Sequence, residues 1–288
     1  MTAIYKKEVR SYFNNMTGYI FIAFILLIVG VYTTAYNFRG AMVNFEYVLG
    51  AVGFIFTIVV PILTMRAMSE ERRQKTDQLL LTCPVTVTGV ILGKYLAMVT
   101  ILLIPSAFLC AYPLILSQFG TLSLAICYGS ILAFFLMGCA LIAVGLFIST
   151  LTENQIIAAV LSFAVLILAY MMSNITSLAS SSALGSFLAF TALLLIFAAF
   201  LYVMTGNRYL SLTAAAALEV VLLAVYLLDS ALFAGAFLKV MESLAFFTYL
   251  DRFVYNRIFD LTAIIYYLSL IFLFLFFSVQ AVEKRRWS

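Results

Sequence analysis

Few residues in this sequence have types and spacing that could do chemistry. The run Gly89, Val90, Ile91, Leu92, Gly93, Lys94, Tyr95 sets two glycines beside a lysine, the ingredients of a phosphate-binding loop. Such a loop needs four residues between its glycines, a Ser or Thr after the lysine and a strand before it. Here three residues separate the glycines and Tyr95 follows the lysine, so nucleotide chemistry is not expected. Lys94 reads instead as the cytoplasmic end of a helix, its ammonium reaching toward lipid phosphates. Glu219 lies deep in an apolar run. An ionisable group at that depth is a candidate for lining a pathway or carrying a proton, and a neutral or paired structural acid is the alternative. Cys83, Cys110, Cys127 and Cys139 match no CxxC spacing, three lie within apolar runs, and they read as small membrane-helix residues. Histidine is absent, which removes Ser-His-Asp triads, Cys-His pairs and His-ligated metals. With no paired acids or metal ligands at a shared depth, the chain is not expected to be an enzyme or to hold a metal or cofactor.

The elements that must position these residues are set by composition. Of 288 residues, 66% are hydrophobic and 10% charged. A soluble domain carries about a quarter charged residues, and so few charges cannot cover so apolar a surface in water. The fold class expected is an all-α polytopic membrane protein. A spanning helix takes about 20 apolar residues, and eight runs qualify: 18–36, 47–65, 88–117, 124–150, 155–172, 187–204, 212–228 and 261–282. Six spans are the alternative, with the pair over 185–229 dipping into the bilayer rather than crossing it.

Charge placement tests this map. With the N-terminus inside, cytoplasmic segments hold twelve basic residues: Lys6, Lys7, Arg10, Arg66, Arg72, Arg73, Lys75, Lys94, Arg208, Lys284, Arg285 and Arg286. External segments hold four: Arg39, Lys239, Arg252 and Arg257. That is the bias of the positive-inside rule, and it places both termini in the cytoplasm of a multi-pass protein. The net charge of +4 is spread over segment ends, so no nucleic-acid partner is expected.

Residues 1–16 read as an amphipathic interfacial helix, followed by a transmembrane region over 17–288. Tyr5, Val9, Tyr12, Phe13 and Met16 share one face of that helix, while Lys6, Lys7, Arg10, Asn14 and Asn15 take the other. Residues 229–260, rich in Phe and Tyr among charges, read as one or two external amphipathic helices. In the loop after the fourth span, Thr152 with Gln155 fits a capping box.

The segment over 66–87 is the most informative. Ser69 suits a helix cap, Glu70 and Glu71 suit its positive end, and Pro84 stops it. The expectation is a short cytoplasmic helix between the second and third spans, Ser69 to Thr82, charged early and edged by Leu79, Leu80 and Leu81 late. An exposed apolar edge flanked by charges suits docking.

Arg66-Ala-Met-Ser-Glu70-Glu71-Arg72-Arg73, then Thr76-Asp77-Gln78-Leu79-Leu80 and Cys83-Pro84-Val85, resembles the cytoplasmic coupling segment of type-2 ABC transporter permeases. The branch it is most similar to is the gliding-motility and copper-enzyme-maturation type. Gly93-Lys94-Tyr95, the stretch Thr152-Glu153-Asn154-Gln155 with Ile156 to Ala159, Tyr266 to Ser269 and Val282 to Trp287 continue the pattern in order. The resemblance is weakest over 185–229. It implies a permease subunit of an ATP-driven exporter in the bacterial inner membrane. ATP and Mg would belong to separate cytoplasmic ATPase subunits, and a second permease subunit would complete the pathway. An extracellular accessory protein and membrane lipid are further partners. Ser69, Glu70, Glu71, Arg72, Arg73, Thr76, Asp77, Leu79, Leu80, Leu81 and Pro84 would contact the ATPase, with Glu153 and Asn154 as a smaller second contact. Two other readings stay open from the residues alone: a non-transporting membrane scaffold using the same helix, and an ion-coupled secondary carrier, although no internal repeat of the kind such carriers carry is seen.

Overall fold

The computed structural model describes residues 1–40, 42–75, 86–178, 182–205, 208–228, 233–256 and 259–286. They are helical, with no strand among the described residues. The chain divides into two units, 1–170 with 246–288, and 171–245.

In the first unit, α1 (Thr2–Asn14) is followed by α2 (Thr17–Thr33), which runs on as a π-helical turn over Thr34–Arg39. Helices α3 (Glu46–Gly53) and α4 (Phe56–Thr64) form the second apolar run. That run is not one straight helix, for the path bends by 60° between Gly53 and Phe56. Gly50 and Gly53 sit on the side where α13 (Thr248–Val254) enters. Val254 and Leu250 side chains lie 3.0 and 3.2 Å from where their Cβ atoms would be, so larger residues would push α13 out. After α5 (Ser69–Arg73) come α6 (Val87–Leu109), α7 (Ala111–Leu116), α8 (Leu124–Leu151) and α9 (Gln155–Leu178). Thr86 starts α6 from extended backbone, its hydroxyl accepting the Gly89 amide at 3.3 Å. The last helix is α14 (Leu261–Arg286).

Helix α8 is the central column. Of its most apolar stretch 78% is buried, against 17% for α14, which therefore faces the lipid side. In lipid, helices are held by close packing more than by apolar burial, so small residues set the approach. The small residues Gly129, Ala133, Gly138, Ala140 and Gly145 are buried along α8. Gly145 faces Thr64 of α4, whose Cβ lies 2.9 Å from where a Cβ on residue 145 would be. Gly138 likewise faces the Phe56 ring at 3.1 Å. From the segment over 229–260, α13 is packed among α3 and α8, with Leu250, Phe253 and Val254 at most 3% exposed.

The second unit holds α10 (Ala183–Thr205), α11 (Arg208–Leu228) and α12 (Ala236–Leu244). Phe187, Tyr226 and Phe233 interlock, with ring centroids 4.8 to 6.2 Å apart, and tie α10 to α11. Five described helices are long and apolar enough to cross a membrane, or six with the bent α3–α4 path. Within α10 and α11 the apolar stretches over described residues are the shorter Ala183–Ala192 and Ala216–Leu227.

Candidate functional site

The charged residues of α1, α5 and α6 meet at one end of the first unit. Lys94, about two turns into α6, is only 3% exposed. Its ammonium lies 2.9 Å from Glu71 Oε1 and 3.0 Å from Glu8 Oε1. Lys7 closes the group at 3.5 Å from Glu71 and 3.9 Å from Glu8. A buried ammonium is tolerable only when carboxylates replace its water, and here two do. The expectation that Lys94 snorkels to lipid phosphates is thus corrected. The cause is Gly93, over which α1 lies directly: Ile4 and the Met1 carbonyl come within 3.2 and 3.3 Å of the missing Cβ.

Two tyrosines of α1 pin it there. The Tyr5 hydroxyl lies 3.0 Å from Thr100 Oγ1, and Tyr12 donates to the Leu63 carbonyl at 3.3 Å. Burial, reinforced by Glu8, pushes the Tyr12 hydroxyl well above the usual phenol range, so it stays a donor. Much of the apolar face of α1 therefore packs on protein, while Met16 remains exposed.

A second joint links α5 to the end of α8. Arg72, 7% exposed, donates through Nη1 to the Thr150 carbonyl and, at 3.1 Å, to the Thr152 carbonyl. These are orphan carbonyls at a helix C-terminus, where a cation also meets the negative end of the dipole. Ser149 answers from α8: its hydroxyl accepts the Met68 and Ser69 amides at 3.1 and 3.3 Å and donates to Met65 at 3.4 Å. The expected cap by Ser69 is corrected accordingly. The N-cap residue is Met68, Ser69 is fully buried and donates to the Met65 carbonyl, and the capping oxygen belongs to Ser149. The reason is continuity. Met65, Ala67 and Arg72 amides carry the hydrogen bonding on from α4, so residue 69 never takes the extended backbone a cap needs.

The loop after α8 differs in the same way. Asn154 Oδ1 accepts the Ile156 amide at 2.9 Å and starts α9, in place of the expected box between Thr152 and Gln155. Arg72 holds the Thr152 carbonyl, which fixes that residue against α5. Glu153, Asn154 and Arg73 are exposed, and Glu70 is half-buried. Helix α5 ends at Arg73, with Lys75 in left-handed backbone at φ 56°. Thr76, Asp77, Leu79, Leu80, Leu81 and Pro84 lie outside the described residues.

The remaining candidates stand elsewhere. Gly89 and Gly93 are inside α6, with no strand before it among the described residues, so no phosphate loop forms. Glu219 is half-buried on α11 in the second unit. Among the described residues no metal-binding cluster of His, Cys, Asp or Glu exists. Sequence reasoning did not place Glu8, Lys94 or Ser149 in the site. One signal pointed to Glu8: it falls three residues after Tyr5 and four before Tyr12, on the side of α1 that packs.

The arrangement is that of a multi-pass membrane protein whose charged joint ties α1, α5, α6 and α8 together. A profile of the ABC-2 family transporter proteins matches residues 29–228, more than half of the chain. The chain belongs to this family and is a membrane-spanning permease subunit of an ABC transporter. No curated protein and no solved structure compared with it gave a match.

Proposed function

We propose that this chain is the permease half of an exporter, driven by separate cytoplasmic ATPase subunits that grip the segment over 66–87. The carrying observation is that α5 is tied directly to α8 and α6 and, through Lys94, to α1. Arg72 holds the end of α8, and Glu71 holds Lys94 of α6, which in turn holds Glu8 of α1. A displacement of α5 therefore passes to α8 through Arg72 and Ser149, and to α6 and α1 through Lys94. Arg73 is exposed on the gripped segment, and the exposed Glu153 and Asn154 lie beside this joint and suit the second contact. ATP and Mg belong to the partner, and a second permease subunit completes the pathway.

The cytoplasmic side is taken to be the charged end. Lys7, Arg72 and Lys94 gather there, and Phe147, near the end of α8, packs on Phe274 and Phe277 of α14, which brings the C-terminal part of α14 to the same side. The cargo class supported by mainly aliphatic and aromatic spans is an amphipathic or lipid-linked molecule.

The test is co-purification with the ATPase, and ATPase activity that depends on this chain. Replacing Leu79 and Leu80 with Asp should abolish co-purification while leaving insertion intact. Normal ATPase binding by that variant would overturn the docking assignment. Export that continues with a hydrolysis-dead ATPase would overturn the coupling and favour a scaffold.

A further inference from the structure

Between α2 and α4 lies an apolar cleft of about 320 Å³. That is the low end of the range for small-molecule pockets, about 300–1,000 Å³. Its floor includes Phe21 and Leu63, 4% and 1% exposed, so it is sealed from the bundle interior. Its walls are Ile20, Phe24, Ile58 and Ile62, which stand 65%, 40%, 40% and 48% exposed. From Thr17 at the mouth to Phe24, α2 rises about 10 Å at 1.5 Å per residue, the depth of an outer length of acyl chain. Arg66 stands with Thr17 at the mouth. It is exposed, and among the described residues it has no ion-pair partner. No acid lines the cleft.

We propose that this cleft binds one anionic phospholipid of the adjoining leaflet, an acyl chain between Ile20, Phe24, Ile58 and Ile62 and the headgroup phosphate on Arg66. The guanidinium fork matches two phosphate oxygens. An exposed guanidinium at the membrane surface draws an anionic headgroup over a zwitterionic one. Charge argues against a second copy of the chain as occupant. Two-fold related copies meeting through this face would set one Arg66 against the other.

Native mass spectrometry of the intact chain in detergent, titrated with phosphatidylglycerol or phosphatidylcholine, tests this. The wild-type chain should retain one phosphatidylglycerol with a preference of about tenfold over phosphatidylcholine. Arg66→Gln should cut that preference to about twofold or less. Ile62→Trp should fill the cleft and release lipid of either headgroup, and Ile58→Phe serves where gel filtration shows the tryptophan variant misfolded. An undiminished preference in Arg66→Gln overturns the headgroup contact. Lipid still held by the filled cleft overturns the site. Dissociation of a dimer by Ile62→Trp without loss of lipid assigns the cleft to a second copy instead.

Discussion

At the charged end of the bundle a buried cation is answered by acids, and at the other end a half-buried acid has no cation paired with it among the described residues. Lys94 has Glu8 and Glu71 within 3.0 Å. Asp251, on α13, has no ion-pair partner among the described residues, and its surroundings include Tyr255 and Tyr267. The nearby cation, Arg252, is taken by Asp260 at 3.3 Å while its guanidinium lies 4.7 Å over the Tyr249 ring. The two acids accordingly diverge. Hydrogen bonds, first from Thr262 and then from Arg252, hold Asp260 below the usual carboxylate range, whereas burial pushes Asp251 up to about 6. The lesson is that burial keeps charge only where it brings opposite charge along. In the first region the charges are paired; in the second, burial lets the acid hold its proton to a higher pH.

The comparison breaks most sharply at Lys94. Lys94→Met should cost about 3–5 kcal/mol, because Glu8 and Glu71 would be left in a partly buried site with only the exposed Lys7 to answer them. Thermal unfolding in detergent followed by circular dichroism measures this. The triple variant Glu8→Gln, Glu71→Gln, Lys94→Met should regain most of the loss, since no stranded charge remains. A single Lys94→Met chain as stable as wild type would show that the ammonium is not enclosed. Arg72→Ala should lose about 1.5–3 kcal/mol by freeing the Thr150 and Thr152 carbonyls, with Ser149→Ala costing about half as much. If either leaves α5 as protected from hydrogen exchange as before, the joint to α8 is not what holds it.

Gly145→Ala sharpens the contrast from the packing side. A methyl group there meets the body of Thr64 rather than a flexible chain end, so a loss of about 1–3 kcal/mol is expected in the same unfolding assay. The smallest effect belongs to Asp251. Its folded pKa of about 6 exceeds the ordinary 3.8, so the native state binds the proton more tightly than the unfolded chain. Its contribution is full at low pH, is lost as pH rises from about 3.8 to about 6, and stays lost above. Asp251→Asn should flatten that stretch of the stability profile and be the more stable chain at pH 7. A profile identical to wild type would remove Asp251 from the account.

Much of the architecture could be read from local apolarity. The run expected over 124–150 is α8, Leu124–Leu151, and the one expected from 261 begins α14 at Leu261. The 60° break in the second run was not readable, because apolar residues continue through it, and the packing of α13 on Gly50 and Gly53 beside it is seen only in the fold. A helix does begin at Ser69 as expected, but it ends at Arg73 instead of continuing toward Thr82, and its capping differs. Ser69 looks like a cap because its type suits one, yet backbone continuity from α4 removes the conformation a cap requires. Lys94 looks like an interfacial lysine because nothing near it in sequence says otherwise; its partner Glu8 is 86 residues away.

Solvent choice and class were settled by composition and pattern alone. Long apolar runs with few charges must be helices in lipid, where every backbone group is satisfied within its own segment, and basic residues collect at segment ends. The ordered match to the ABC-2 family transporter proteins rests on the same linear information. Tertiary structure alone decided which charges meet. Ion pairs and borrowed caps such as Glu8 with Lys94, or Ser149 with the amides of Met68 and Ser69, join positions far apart in the chain, and no local periodicity records them. They exist because Gly93 and Gly145 let helices approach closely enough for buried polar groups to find one another.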